Sequence, residues 1–239
     1  MRLTWTIAGA GLLAVAACSS NKQSDAAAGD SAAAGTAAAP AAGAGSASDP
    51  DRATGGAGVP AGYVGRTDRE GAAISGAKYS ATGNRWEVTT GPAHVVYAAK
   101  DSASGVYTVT TTIEQLEAPA HPEAYGLFIG GRNLDQPSVQ YTYFVVRGTG
   151  EYLVRVRDGA GTRNVSEWKA SDAVPKADAS GKAAYRLKAH VAPDTVHFLV
   201  NDKLVAAVPK AGIPTDGIAG LRINHNLHVA VRPVEVKKG

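Results

Sequence analysis

The chain of 239 residues contains one cysteine, Cys18, and a single methionine, the initiator. One thiol permits no internal disulfide, no cysteine-based zinc site and no iron–sulfur cluster, so the fold must stand on its core alone. Neither charge dominates: 24 Lys and Arg face 21 Asp and Glu, for a formal net charge of +3, too balanced for a nucleic-acid footprint. Beyond residue 18 no apolar run approaches the ~20 residues that a spanning helix needs. No stretch carries an apolar repeat at three-to-four spacing long enough for a substantial helix. Also missing are a Gly-x-Ser-x-Gly elbow, a His-Glu-x-x-His pair and a Gly-x-x-x-x-Gly-Lys phosphate cradle. Common motif enzymes are thereby set aside, and no cofactor is called for.

What the chain does have begins at its first residues. Arg2 precedes an apolar run from Leu3 to Val15, and the small Ala16 and Ala17 lead into Cys18. A positive start, a short apolar stretch and a small-residue cleavage site make a secretory signal. Val15-Ala16-Ala17-Cys18-Ser19 also resembles a bacterial lipobox. That resemblance implies cleavage before Cys18, acylation of its thiol, and attachment to the outer membrane, or to the cell membrane of an organism with only one. Residues 19–58 are rich in Ala, Gly and Ser, with no leucine or aromatic residue to bury, which is the composition of a disordered linker. As a flexible coil, ~40 residues would span on the order of 35 Å. The expected organisation is a signal peptide over 1–17, a lipidated Cys18 with its linker over 18–58, and one β domain over 59–239.

From Arg85 onward, short runs rich in Val, Thr, Tyr and Ile alternate with turn residues. Strands are expected at Arg85–Thr89, His94–Ala98, Val106–Leu116, Tyr125–Gly130, Val139–Arg147, Glu151–Arg157, Ala184–Val191, Val196–Val200, Leu204–Val208, Ile218–Ile223 and Leu227–Val236. Many short strands at regular spacing point to an all-β sandwich or jelly roll. Three turns fix register. Gly148-Thr149-Gly150 closes one hairpin and Ala192-Pro193-Asp194-Thr195 a second, while Asn201-Asp202 suits a two-residue type I′ turn. Pro233 cannot donate to a ladder, so an edge or a bulge is expected there.

With those strands in place, residues 84–236 resemble the concanavalin A-like jelly roll of the lectin/glucanase and laminin-G group. Tyr125-Gly126-Leu127-Phe128-Ile129-Gly130-Gly131 resembles its Gly-rich core strand. Tyr143-Phe144-Val145-Val146-Arg147 with Gly150-Glu151-Tyr152 resembles its central hairpin. Val196–Val205 resembles its strand–turn–strand element, with Asp202 in place of a Gly, and Gly217-Ile218-Ala219-Gly220-Leu221 resembles a strand near its end. Members of the group include lectins, adhesion modules, glycoside hydrolases and 3-keto-disaccharide hydrolase domains. The Glu-x-Asp-x-Glu strand that marks one enzyme branch is absent here.

Two side-chain constellations follow from register. Pairing Val146 with Tyr152 turns Phe144, Val146, Tyr152, Val154 and Val156 to the core. The opposite face then carries Tyr141 beside Arg157 and Tyr143 beside Arg155. Flat rings suit sugar C–H groups and guanidinium forks suit hydroxyls or carboxylates, so this face is the candidate glycan site; rings and guanidinium groups also stack on ordinary surfaces. Pairing Val191 with Val196 sets His190 directly opposite His197 on the polar face, with Arg186 and Lys188 in the same row. The pair lies close enough to share a ligand or an anion, although a solvated polar face is the more ordinary account of it. His225 and His228, three apart, fall on opposite faces and do not form a metal pair. His121, Glu123 and Arg132 could cluster near the Gly-rich strand, and Trp168 could line the Tyr/Arg face or plug the edge. No spaced acidic loop calls for calcium, although Asp135 and Asp158 are available to it. The expectation is a lipid-anchored, non-catalytic carbohydrate-binding or adhesion module, with a polysaccharide as ligand. The alternatives are a hydrolase of the 3-keto-disaccharide type and a structural partner in envelope assembly.

Overall fold

The computed structural model describes residues 58–69 and 72–239, all within the unit Ala47–Gly239. The signal peptide, Cys18 and the linker through residue 57 lie outside the described residues.

Alternation of apolar and polar side chains builds two eight-stranded antiparallel sheets. The first runs β1 (Val64–Thr67), β4 (His94–Ala103), β14 (Gly217–Ile223), β6 (Ala124–Arg132), β7 (Gln140–Arg147), β8 (Glu151–Asp158) and β10 (Lys169–Ala170), with β9 (Gly161–Asn164) also on β8. The second runs β13 (Lys203–Pro209), β12 (Thr195–Val200), β11 (Ala183–Val191), β5 (Tyr107–Gln115), β15 (His228–Val231), β3 (Arg85–Thr89) and β2 (Lys78–Thr82), with β16 (Glu235–Lys238) also on β5. The one described helical piece is a 3₁₀ turn, Ile74–Gly76. This is an all-β jelly-roll sandwich, as the strand spacing indicated; the concanavalin A-like kind is what the family resemblance implies.

The core forms where the inner faces meet. Phe144, Val146, Tyr152 and Val154 of the first sheet pack with Tyr185, Leu187, Ala189, Val196, Phe198 and Val200 of the second. Phe144 sits at the centre, its ring 5.0 Å from that of Phe198 and 6.4 Å from that of Tyr152. Burying one such ring contributes roughly 1.5–3 kcal/mol. All three turns hold. Gly150 takes φ +90° and its N–H donates to Arg147 O; Ala192 N–H donates to Thr195 O; Asn201 and Asp202 both sit at positive φ, 51° and 63°. The final expected strand divides. Pro233 separates β15 from β16, yet both lie along β5, with Arg232 N–H bridging the gap to Thr112 O. Four short strands escape the sequence pattern: β1, β2, β9 and β10 contain no fully buried residue and carry little apolar alternation.

Candidate ligand-binding face

Cross-strand register on the first sheet places the candidate residues in rows on the face turned away from the core. One row reads Arg66, Val95, Arg222, Gly126, Val145 and Leu153, from β1 across to β8. The next reads Val64, Tyr97, Gly220, Phe128, Tyr143, Arg155 and Asn164. Tyr141 lies opposite Arg157 in a third. The pairs Tyr141–Arg157 and Tyr143–Arg155 therefore stand where the hairpin register put them.

Their exposure does not match the expectation of an open aromatic face. Tyr141 is 3% exposed and Tyr143 8%. The reason is a second apolar cluster on this outer face, in which Val95, Tyr97, Phe128, Leu134, Val139 and Leu153 surround both rings. Phe128 lies 5.1 Å from Tyr141, ring to ring, and Tyr141 lies 5.7 Å from Tyr143. Gly220 makes the cluster continuous. Strand β14 separates β4 from β6, and the missing side chain lets Tyr97 and Phe128 meet over it edge to face at 6.4 Å. A Cβ there would stand 2.5 Å from the Phe128 ring and 2.3 Å from Val96 O.

Beside these rings stands the feature that the sequence pattern missed. Arg222 projects from β14 onto the same face and grips Asp68, just after β1, with both prongs: Nη1 to Oδ1 at 2.6 Å and Nη2 to Oδ2 at 2.5 Å. The Arg222 side chain is 8% exposed, whereas that of Asp68 is 32% exposed. Burial alone would lower the guanidinium pKa, but Asp68, with Tyr141 and Tyr143 nearby, outweighs it and raises the pKa. The Arg222 guanidinium also lies 5.7 Å from the Tyr143 ring centre. Asp68 is thus a fixed carboxylate with one edge neutralised and the other facing outward.

That outward edge borders a cleft of about 520 Å³ whose walls include Arg66, Asp68, Tyr97, Asp135 and Arg157. Arg66 donates through Nη1 to Leu134 O at 3.0 Å and Gln136 O at 2.6 Å, which ties β1 to the β6–β7 loop. Arg157 donates through Nε to Gly159 O at 2.6 Å. Each guanidinium is therefore anchored at one side. Burial raises the Tyr97 phenol, Asp135 adds to the rise and Arg66 opposes it. Arg155 is held by Asn164 Oδ1 further along the sheet. Trp168 packs at the edge of the outer cluster with the Arg147 guanidinium 4.2 Å from its ring centre. A larger cleft, about 630 Å³, lies along residues 210–216, but no aromatic ring lines it.

Solved structures with the same arrangement put this geometry in context. The carbohydrate-binding module CBM66 from Bacillus subtilis is similar with a TM-score of 0.54 and 12% identity, over 74% of this chain and 96% of that one. A Bacillus subtilis protein described as having a galectin-like fold and unknown function is similar with a TM-score of 0.56 and 15% identity, over 74% and 89% of the two chains. The fold is galectin-like. No family model and no curated protein matches the chain. At such identities the likeness concerns the fold, and residue roles rest on the geometry above.

The remaining candidates fall elsewhere. His190 and His197 do face each other, on the outer side of the second sheet. His121, Glu123 and Arg132 do not cluster: Glu123 pairs with His225 at 2.7 Å and Arg132 donates to Asp216 O. His228 contacts Glu87 and Glu117 instead of His225. Asp158 accepts a hydrogen bond from Gln140, and among the described residues no group of three His, Cys, Asp or Glu side chains is placed to hold a metal ion. Sequence reasoning missed Arg66, Asp68, Tyr97 and Arg222, because β1 is four residues of weak pattern and a lone Arg in β14 reads as surface.

Proposed function

We propose that this chain is a lipid-anchored envelope protein whose sandwich binds a polysaccharide in the cleft bounded by Arg66, Asp68, Tyr97 and Arg157. The observation that carries the reading is the Asp68–Arg222 fork at the cleft wall. A carboxylate pinned by a buried guanidinium cannot rotate away, so its free lone pairs stay aimed at incoming hydroxyl groups. Sugar diols need an acceptor for one hydroxyl and a donor for its neighbour. Asp68 supplies the first, and Arg66 and Arg157 the second. The similarity in fold to a carbohydrate-binding module supports the same class of ligand. Anchoring rests on the lipobox-like segment around Cys18, and binding on the domain at the far end of the linker.

The test is affinity for soluble polysaccharides on a glycan array, followed by calorimetry with the best ligand. Arg66→Gln and Arg157→Gln should each weaken binding about tenfold, because one charge-assisted hydrogen bond is worth roughly 1.5–3 kcal/mol. No bound glycan on the array, or both variants binding like the parent, overturns the reading. Anchoring is checked separately: labelled palmitate should enter the parent chain and not Cys18→Ala.

A further inference from the structure

The second sheet carries a constellation that glycan binding on the first sheet does not use. His190 on β11 and His197 on β12 occupy directly opposed positions. Their rings lie nearly parallel, 15° apart, with centres separated by 6.0 Å. Opposed residues on an antiparallel pair have Cβ atoms ~4.5–5.5 Å apart, so rotation of the rings about their side-chain bonds can bring both tips within the ~4 Å that a shared metal ion requires. Both residues are half-buried.

Three features make the pair more than two neighbouring polar residues. First, β11 lies between β5 and β12, so its backbone is hydrogen-bonded on both sides and His190 starts from a fixed position. Second, Thr108 Oγ1 sits 3.0 Å from His190 Nδ1. When Thr108 accepts from Nδ1–H, the lone pair resides on Nε2, the ring's outer tip. This is the orienting hydrogen bond that metal-binding histidines make through their second nitrogen. Third, the row continues from His197 to Ala207 on β13, a methyl group that leaves the space beside the rings clear.

The charged groups on this face are few and mostly spoken for. Lys188, next outward on β11, is held by Asp202 at 2.5 Å, and Arg186 grips the same carboxylate at 2.7 Å. On β16, Lys237 lies opposite Thr108 and Glu235 opposite Thr110, one strand beyond His190. No cation separates the two rings. Neutral imidazole is a good ligand for zinc, copper(II) and nickel(II) and a poor one for calcium or magnesium.

We propose that His190 and His197 form a two-imidazole site for a divalent transition-metal ion, with copper(II) favoured over zinc and water completing the coordination shell. Two protein ligands make a labile site, suited to exchange with the surroundings rather than to permanent retention. The affinity order follows the general preference of nitrogen ligands for copper(II).

The experiment uses the full chain carrying Cys18→Ser, so that the thiol does not compete. Substoichiometric copper(II) should broaden amide resonances around residues 189–198 and at Thr108, since a paramagnetic ion acts locally. Zinc titration calorimetry should show a weaker site, lost on the order of tenfold in His190→Ala and in His197→Ala. Thr108→Val should weaken zinc binding by a smaller factor, while His225→Ala, in the β14–β15 loop, should leave it unchanged. Broadening centred elsewhere, unchanged zinc affinity in both histidine variants, or no saturable binding at millimolar zinc each overturns the proposal. Glycan binding by the first sheet is untouched by any of these variants, so the two readings fail independently.

Discussion

Arg222 and Asp68, 154 residues apart in the chain, close a two-pronged ion pair at the outer face of the first sheet. The pair joins the segment after β1 to β14, and only one of its members can reach water freely. That inequality has a measurable consequence.

Asp68→Asn leaves a guanidinium buried without a counter-charge and should cost about 3 kcal/mol or more, in the range seen when one partner of a buried pair is removed. Arg222→Met leaves a carboxylate that water can solvate and a side chain that fits among Tyr143 and Val95, so it should cost less. Urea unfolding of both variants, with the double variant to close the cycle, reads the difference directly. Equal costs for the two would show that burial does not govern this pair.

A second buried titratable group, His94, sets the acid sensitivity of the fold. Its Nδ1–H donates to Pro92 O, so Nε2 is unprotonated and accepts from the Tyr79 hydroxyl. Burial is the main cause that lowers its pKa, to about 4. Between that value and an ordinary histidine pKa near 6.5, the unfolded chain binds a proton that the folded chain does not. Stability should therefore be independent of this group above pH 6.5 and fall as pH drops from there to 4, by roughly 3 kcal/mol in all. Urea midpoints at pH 7, 5.5 and 4 measure the slope. His94→Gln should flatten it, and a slope unchanged in that variant would assign it to other groups.

The β12–β13 turn separates backbone strain from surface charge. Asn201 takes φ 51° and its side-chain oxygen accepts from Arg186 N–H at 2.9 Å. Asn201→Ala loses both advantages and should cost about 1–2 kcal/mol. Asp202→Gly relieves a positive φ but surrenders exposed, solvent-screened pairs with Arg186 and Lys188, so the net change should be small. Thermal midpoints of the two variants should differ clearly, Asn201→Ala being the lower.

Gly220 offers a test of the outer aromatic cluster. Gly220→Ala drives a methyl group toward the Phe128 ring and Val96 O, and such overpacking typically costs 1–3 kcal/mol. The displaced Phe128 should also shift Tyr97, so polysaccharide affinity should fall along with the urea midpoint. Full affinity in a destabilised Gly220→Ala would separate the cleft from the ring cluster behind it.

Most of the fold was legible because the inward residues of β7, β8, β11 and β12 alternate without interruption, and the turn residues between them admit one register. Phe144 opposite Val154 and His190 opposite His197 follow from that register alone. The outer cluster was not legible, because period-two alternation says which face a side chain takes and not whether another layer covers it. Tyr141 and Tyr143 were correctly placed opposite their arginines, and their burial depends on Phe128, Leu134 and Tyr97, which come from other strands and a loop. Asp68 could not be anticipated for a similar reason: its role arises from a residue 154 positions away, and its own neighbours, Thr67 and Arg69, look like an ordinary polar turn.

The break at Pro233 leaves β16 lying on β5 in the interior of the second sheet, with Lys238 opposite Tyr107. Half of the hydrogen-bonding edge of β5 thus waits for a segment made more than a hundred residues later. During synthesis, the nascent sheet stays open along that edge until residues 235–238 emerge. Folding is therefore obliged to be late and non-local, which makes it slow and leaves a bare strand edge in every shortened product.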